Sequence, residues 1–179
     1  MRSQVEYAFT DGIISLMLII GIDPGTATTG YGLVKVQKSG QPTLVKFGWI
    51  KTESNGQAGK RLDQIFREMS ILLKEHTPDV LAIERLFFYS NAKTAMAVGQ
   101  ACGVIMLAAA RRKIPIYEYP PGQVKLVVGG NGRADKSIMK QSVRKMFGVR
   151  APNKKKTYFD DAADAIAVAV CHARMANKS

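Results

Sequence analysis

The sequence predicts an α/β domain with a mixed five-stranded sheet flanked by helices. Three observations carry this. Three β-rich segments come first, separated by turn signals. Helical and strand patterns then alternate. The last third of the chain is helical in pattern. No internal repeat and no linker divides the 179 residues, a length that suits one core.

Met17 to Asp23 is an apolar run ending in a carboxylate, and Pro24-Gly25 breaks it. Gly30 to Gln37 and Thr43 to Lys51 are rich in β-formers and are joined by Ser39-Gly40-Gln41-Pro42, a hairpin signal. Gly59 to His76 places Leu62, Ile65, Phe66, Met69, Leu72 and Leu73 at helical spacing, and Thr77-Pro78 stops it. Asp79 to Glu84 is a second buried strand with a terminal carboxylate. A long Ala-rich helix over Asn91 to Arg112 leads to a short strand, Pro115 to Tyr119. Pro120 to Val128 reads as a short helix, Gly129 to Gly132 as a loop and Lys136 to Phe147 as a basic helix. Val149 to Tyr158 reads as a loop, and Phe159 to Met175 as a final amphipathic helix. Tight turns join antiparallel neighbours and helical crossovers join parallel ones, so the sheet is mixed and covered on both faces. Sites in such sheets lie at the carboxyl ends of the parallel strands.

Residues 1–16 read as an extension and 177–179 as a tail around a single domain, 17–176, with Met17 as an alternative start. The apolar stretch Ile13 to Ile22 is about half the ~20 residues that a membrane span needs. Acidic Glu6 and Asp11 precede it, and no small-residue cleavage site follows. No membrane partner is expected. Cys102 and Cys171 sit in Ala-rich surroundings without metal-ligand spacing. They read as free thiols in a reducing cytoplasm. His76 and His172 lie far apart in sequence, which disfavours zinc.

The formal net charge is +12. Residues 1–89 carry 10 basic and 9 acidic side chains, whereas residues 90–179 carry 16 and 5. Lys125 to Lys156 alone hold ten basic residues and one acid, Asp135. A surplus so concentrated points to a polyanion, most simply nucleic acid.

Four acids stand where burial makes a bare charge costly. Asp23 and Glu84 end apolar strands. Asp161 and Asp164, three apart on the last helix, share a face, and Asp160 meets Asp164 equally well by spacing. The face of Ala163, Ile166, Ala167 and Val170 is expected to lie on the sheet, which leaves the acids at its margin. Carboxylates without His or Cys describe a hard-cation site for Mg2+ or Mn2+. Two such ions suit in-line displacement at phosphorus. Phe87, Phe88 and Tyr89 follow Glu84, and an exposed aromatic there can stack on a base. Lys154, Lys155 and Lys156 can grip phosphate backbone. Gly99 and Gly103, four apart, allow close approach of another backbone, within the monomer or across a dimer seam.

Several motifs in order resemble the RuvC family of Holliday-junction resolvases. They are Leu18-Ile-Ile-Gly-Ile-Asp-Pro-Gly25, Thr29-Gly-Tyr-Gly32, Ala82-Ile-Glu-Arg-Leu-Phe87, Gly99-Gln-Ala-Cys-Gly-Val104, Glu118-Tyr119, Gln123-Val-Lys125, Gly132-Arg-Ala-Asp-Lys-Ser137 and Asp161-Ala-Ala-Asp-Ala165. The resemblance spans Met17 to about Met175. It implies an RNase H-like fold and a homodimer that cuts opposed strands of a four-way DNA junction symmetrically with Mg2+. Products with 5′-phosphate and 3′-hydroxyl ends, and the branch-migration partners RuvA and RuvB, are implied with it. By position, Asp23, Glu84, Asp161 and Asp164 match the metal-binding catalytic carboxylates. Phe87 matches the aromatic that contacts unstacked bases. Lys125 and Lys136 match the basic residues near the scissile phosphate, and Arg133 precedes Lys136 in a loop that can approach phosphate.

Three other classes fit parts of the chain. Gly21-Ile-Asp-Pro-Gly-Thr26 also resembles the phosphate loop of actin-like ATPases, but 179 residues do not supply two lobes. A DNA-binding module without catalysis leaves the spaced carboxylates unexplained. A related nuclease acting on RNA differs by no feature in the residues.

Overall fold

The computed structural model describes residues 16–37, 40–53, 56–85, 92–149 and 156–176. Strands β1 (Leu16–Asp23), β2 (Thr28–Gln37) and β3 (Thr43–Lys51) form the expected meander. Helix α1 (Ala58–His76), β4 (Val80–Glu84), α2 (Ala92–Ala110) and β5 (Ile116–Tyr119) follow, then α3 (Pro121–Gly129), α4 (Lys136–Phe147) and α5 (Lys156–Ala176). The sheet order is β3-β2-β1-β4-β5. β1 pairs antiparallel with β2 and parallel with β4, and β4 pairs parallel with β5. The mixed sheet and its flanking helices are therefore as the pattern predicts.

Strand alternation divides the core. Ile20 and Ile22 of β1, with Leu33, Leu81 and Ile83, meet Ile65 and Met69 of α1 and Ile105 of α2. Ile19, Val34, Val80 and Ala82 face the opposite way, toward α5, with Val124 of α3 and Val143 of α4 in the same core. α5 thus lies between the sheet and two helices and is buried from Ala165 to Ala173. A helix covered on both sides is apolar nearly all round.

Two expectations about α5 are corrected. It begins at Lys156, three residues before Phe159, because the breaker Pro152 lies further upstream. Its sheet-facing side keeps the predicted Ile166 but is completed by Ala165 and Ala169, which the prediction left out. A Cβ on Gly21 would stand 2.1 Å from the Ala165 carbonyl oxygen, and one on Gly32 would stand 2.6 Å from Ile166 Cγ1. Those strand glycines let α5 lie against the sheet backbone. α3 and α4 cover much of the remainder, so α5 is apolar well beyond the one face that spacing marks.

Tyr119 on β5 and Nδ1 of buried His172 on α5 share a 2.6 Å hydrogen bond. The other ring nitrogen, Nε2, has no partner. Burial pushes the imidazole down to about 4, so it is neutral in the fold.

Candidate active site

Ile22 pairs with Ile83, so Asp23 and Glu84 leave neighbouring parallel strands at the same level. Asp23 in turn pairs with Gly30 of β2. A Cβ at Gly30 would stand 2.1 Å from the Asp161 carbonyl oxygen, which shows how closely α5 approaches there. The turn after Asp23 is braced by Thr29 Oγ1, which donates to Gly25 O at 2.7 Å, and by Thr52 Oγ1, which donates to Thr26 O at 2.5 Å. Arg61 Nε donates to Thr52 Oγ1 at 2.9 Å, which ties α1 to this turn.

The four predicted carboxylates share one electrostatic field. Burial pushes Asp23 up to about 8, and the charges of Asp164, Glu84 and Asp161 add to it. Glu84 is raised by burial and by Asp164, while Lys125 and Lys136 pull it down. Asp161 and Asp164 are also raised by burial, against the pull of Lys136. Desolvated like charges of this kind favour a proton or a cation among them.

Lys136 at the start of α4 reaches this field. Its Nζ donates to Asp164 Oδ2 at 3.4 Å, and the Asp164 charge raises the ammonium pKa. One turn further along α4, Lys140 Nζ lies 2.6 Å from Asp160 Oδ2. Asp160, which spacing left as an alternative to Asp161, therefore faces an ammonium on α4. Lys140 was missed in the sequence. Its signal was the i,i+4 spacing of Lys136 and Lys140, which mirrors that of Asp160 and Asp164.

Among the described residues, no three Asp, Glu, His or Cys side chains form a ready-made cage for an ion. Mg2+ does not need one, since one or two carboxylates, waters and substrate phosphates commonly complete its shell. The all-oxygen donor set and the cation-favouring field fit such an ion.

A protein-family model described as crossover junction endodeoxyribonuclease RuvC matches residues 19–172. The chain belongs to the RuvC family. A RuvC of Moorella thermoacetica is 46% identical over 160 residues, covering 89% of this chain and 93% of the relative. A RuvC of Desulfitobacterium hafniense is 45% identical over 161 residues, covering 90% and 94%. A Thermus thermophilus RuvC solved in complex with a Holliday junction substrate superimposes with a TM-score of 0.80 and 32% identity, covering 90% of this chain and 96% of that one. The yeast mitochondrial Holliday junction resolvase Ydc2, at 18% identity and a TM-score of 0.65, shares the fold. The RNase H-like fold expected of a RuvC is the one observed.

The remaining predicted positions fall unevenly around the carboxylate cluster. Lys125 on α3 stands close enough to Glu84 to lower its pKa. Arg133 is exposed on the loop before α4. Phe87, with Phe88 and Tyr89, lies outside the described residues, as do Lys154 and Lys155 and the segments 1–15 and 177–179. Lys156 opens α5. On α2, Gly99 is half-buried and Gly103 is exposed, with no atom within 4 Å of a Cβ placed on Gly103. Met96 and Leu107 of the same helix are 66% and 50% exposed. No helix among the described residues is long and apolar enough to cross a membrane.

Proposed function

We propose that this chain resolves four-way DNA junctions by paired symmetric nicks, acting in homologous recombination and DNA repair. Membership of a family of crossover junction endodeoxyribonucleases supports this. The observation that carries the chemistry is Asp23, pushed up to about 8 by burial and by the charges of Glu84 on the adjacent parallel strand and of Asp161 and Asp164 on α5. Asp23, Glu84, Asp161 and Asp164 would hold two Mg2+ ions, with Mn2+ able to substitute. When bound, such ions activate water and stabilise the leaving oxygen at phosphorus, giving 5′-phosphate and 3′-hydroxyl ends.

The protein's own residues do the rest. Lys136 presents an ammonium at the acidic cluster, where it meets the charge of an incoming phosphate. Lys125, Arg133, Lys154, Lys155 and Lys156 hold the backbone, and Phe87 stacks on an unstacked base. A homodimer joined along the exposed apolar stripe of α2, with Gly99 and Gly103 at its centre, would set two sites at a fixed distance for opposed cuts. RuvA and RuvB are the proposed partners. The two free cysteines, both buried, fit a cytoplasmic location.

The test offers the protein a labelled four-way junction, a linear duplex and an RNA–DNA hybrid, with Mg2+, with Mn2+ and with EDTA. Symmetric nicking of the junction alone, dependent on metal and abolished by Asp23→Asn, is the expected result. Binding without cleavage under both metals, or cleavage of the hybrid alone, would overturn it.

A further inference from the structure

Two ion pairs join α4 to α5 as rungs. Lys136 meets Asp164 at 3.4 Å, and Lys140 meets Asp160 at 2.6 Å. Each pair of partners is four residues apart on its helix, so the rungs are spaced by about one helical turn, roughly 5–6 Å. The rungs differ in kind. Lys136 is 75% exposed and its contact is long, whereas Lys140 and Asp160 are 22% and 33% exposed and their contact is short. The α1 pair Arg67 and Asp63, at 66% and 62% exposure, is an ordinary surface contact. A pair shielded from water interacts more strongly than one in full solvent.

The start of α4 has few other restraints. Its N-cap Asp135 accepts from Ile138 N at 2.9 Å, which orders the first turn but ties it to nothing outside the helix. Met139 and Val143 are its buried side chains, and they hold one face in the core. Met146 and Phe147 pack partly buried against the same core, and Arg144 lies 5.4 Å over the Phe159 ring of α5, but these contacts sit toward the end of α4 far from Lys136. The Lys140 and Asp160 contact is directional, and it lies one turn from the residue that enters the site.

We infer that the Lys140–Asp160 ion pair is a positioning device that fixes α4 against α5 so that Lys136 reaches the carboxylate cluster. Asp160 is then a positioning residue and not a metal ligand. Lys140 acts through Lys136 and does not grip DNA in its place. The inference rests on the nuclease reading of the site for its kinetic consequence, but its structural consequence is independent of that reading.

The test compares Lys140→Ala, Asp160→Ala, Lys140→Arg and the exchange Lys140→Asp with Asp160→Lys in the full-length protein. Single-turnover nicking of a saturating four-way junction and hydrogen exchange of α4 amides are measured on each. Both alanine variants are expected to nick about fivefold more slowly with junction affinity within twofold of wild type. Their α4 amides should exchange several-fold faster. Lys140→Arg and the exchanged pair should recover most of the rate. If Lys140 instead held phosphate, Asp160→Ala would free it and nicking or binding would hold or improve, which overturns the inference. Unchanged α4 exchange in both alanine variants also overturns it, whether or not any variant nicks DNA. Failure of the wild type to nick a junction would sink the nuclease reading alone, since the exchange measurement still decides whether the pair holds α4.

Discussion

Gly30→Ala tests the link between backbone packing and chemistry. Gly30 pairs with Asp23 across β1 and β2. Its added Cβ would stand 2.1 Å from the Asp161 carbonyl oxygen and 2.4 Å from the carbonyl carbon. Both are backbone atoms, so no side-chain rotation relieves the clash. Ordinary contact begins at 3.4 Å, so α5 must retreat by about 1 Å. Overpacking of this kind costs about 1–3 kcal/mol. For a chain of this size that lowers Tm by about 2–12 °C. The kinetic cost is larger, because a displacement of about 1 Å at a reacting centre can cost on the order of 100-fold. Scanning calorimetry and single-turnover junction nicking at saturating protein measure the two effects. Gly59→Ala is the control, since a Cβ there meets nothing within 4 Å. A Gly30→Ala variant with wild-type stability and wild-type rate would refute the reasoning.

In metal-free buffer, Asp23→Asn should stabilise the fold at high pH. The folded carboxyl is raised from 3.8 to about 8, so its contribution is fully present below about 4 and is lost as pH rises through 8. The variant should therefore gain on the order of a few kcal/mol over wild type at pH 9 and little at pH 4, as followed by urea unfolding. Tyr119→Phe removes the partner of a buried ring nitrogen on His172 whose other nitrogen already has none, so it should cost about 1–3 kcal/mol by the same measurement. Gly103→Arg should leave the circular dichroism spectrum unchanged, because open space surrounds that position in the protomer. It should shift sedimentation from dimer to monomer, and a wild type that sediments as a monomer would remove the α2 seam from consideration.

The sheet was legible in the sequence because its strands are short apolar runs punctuated by Pro and Gly, and those signals are local. Asp23 and Glu84 stood out for the same reason, since a carboxylate closing an apolar strand is costly to bury unless it is paired or binds a cation. Asp160 and Asp161 were not separable, because both lie within a turn of Asp164 and helical spacing carries no information about what faces each. What faces Asp160 is Lys140 of α4, twenty residues earlier in the chain. The docking side of α5 was legible only in part, at Ile166, because helical spacing counts only residues on the helix itself. The glycines of β1 and β2 that decide which side docks belong to other elements. His172 gave no sign of its hydrogen bond to Tyr119, since a lone histidine on an apolar helix carries no marker of its partner.

The proposed cutting site is divided between two paired strands, β1 and β4, and helix α5. Asp23 and Glu84 are in place once β1 and β4 have paired, but Asp161 and Asp164 arrive only with α5. A ribosome that has not yet released the last helix therefore carries half a set of acids and no edge of α5 to cover the glycines. The full set of four acids waits for α5 to be made. A product truncated before α5 would leave the apolar face of Ile19, Val34 and Val80 open, a target for degradation.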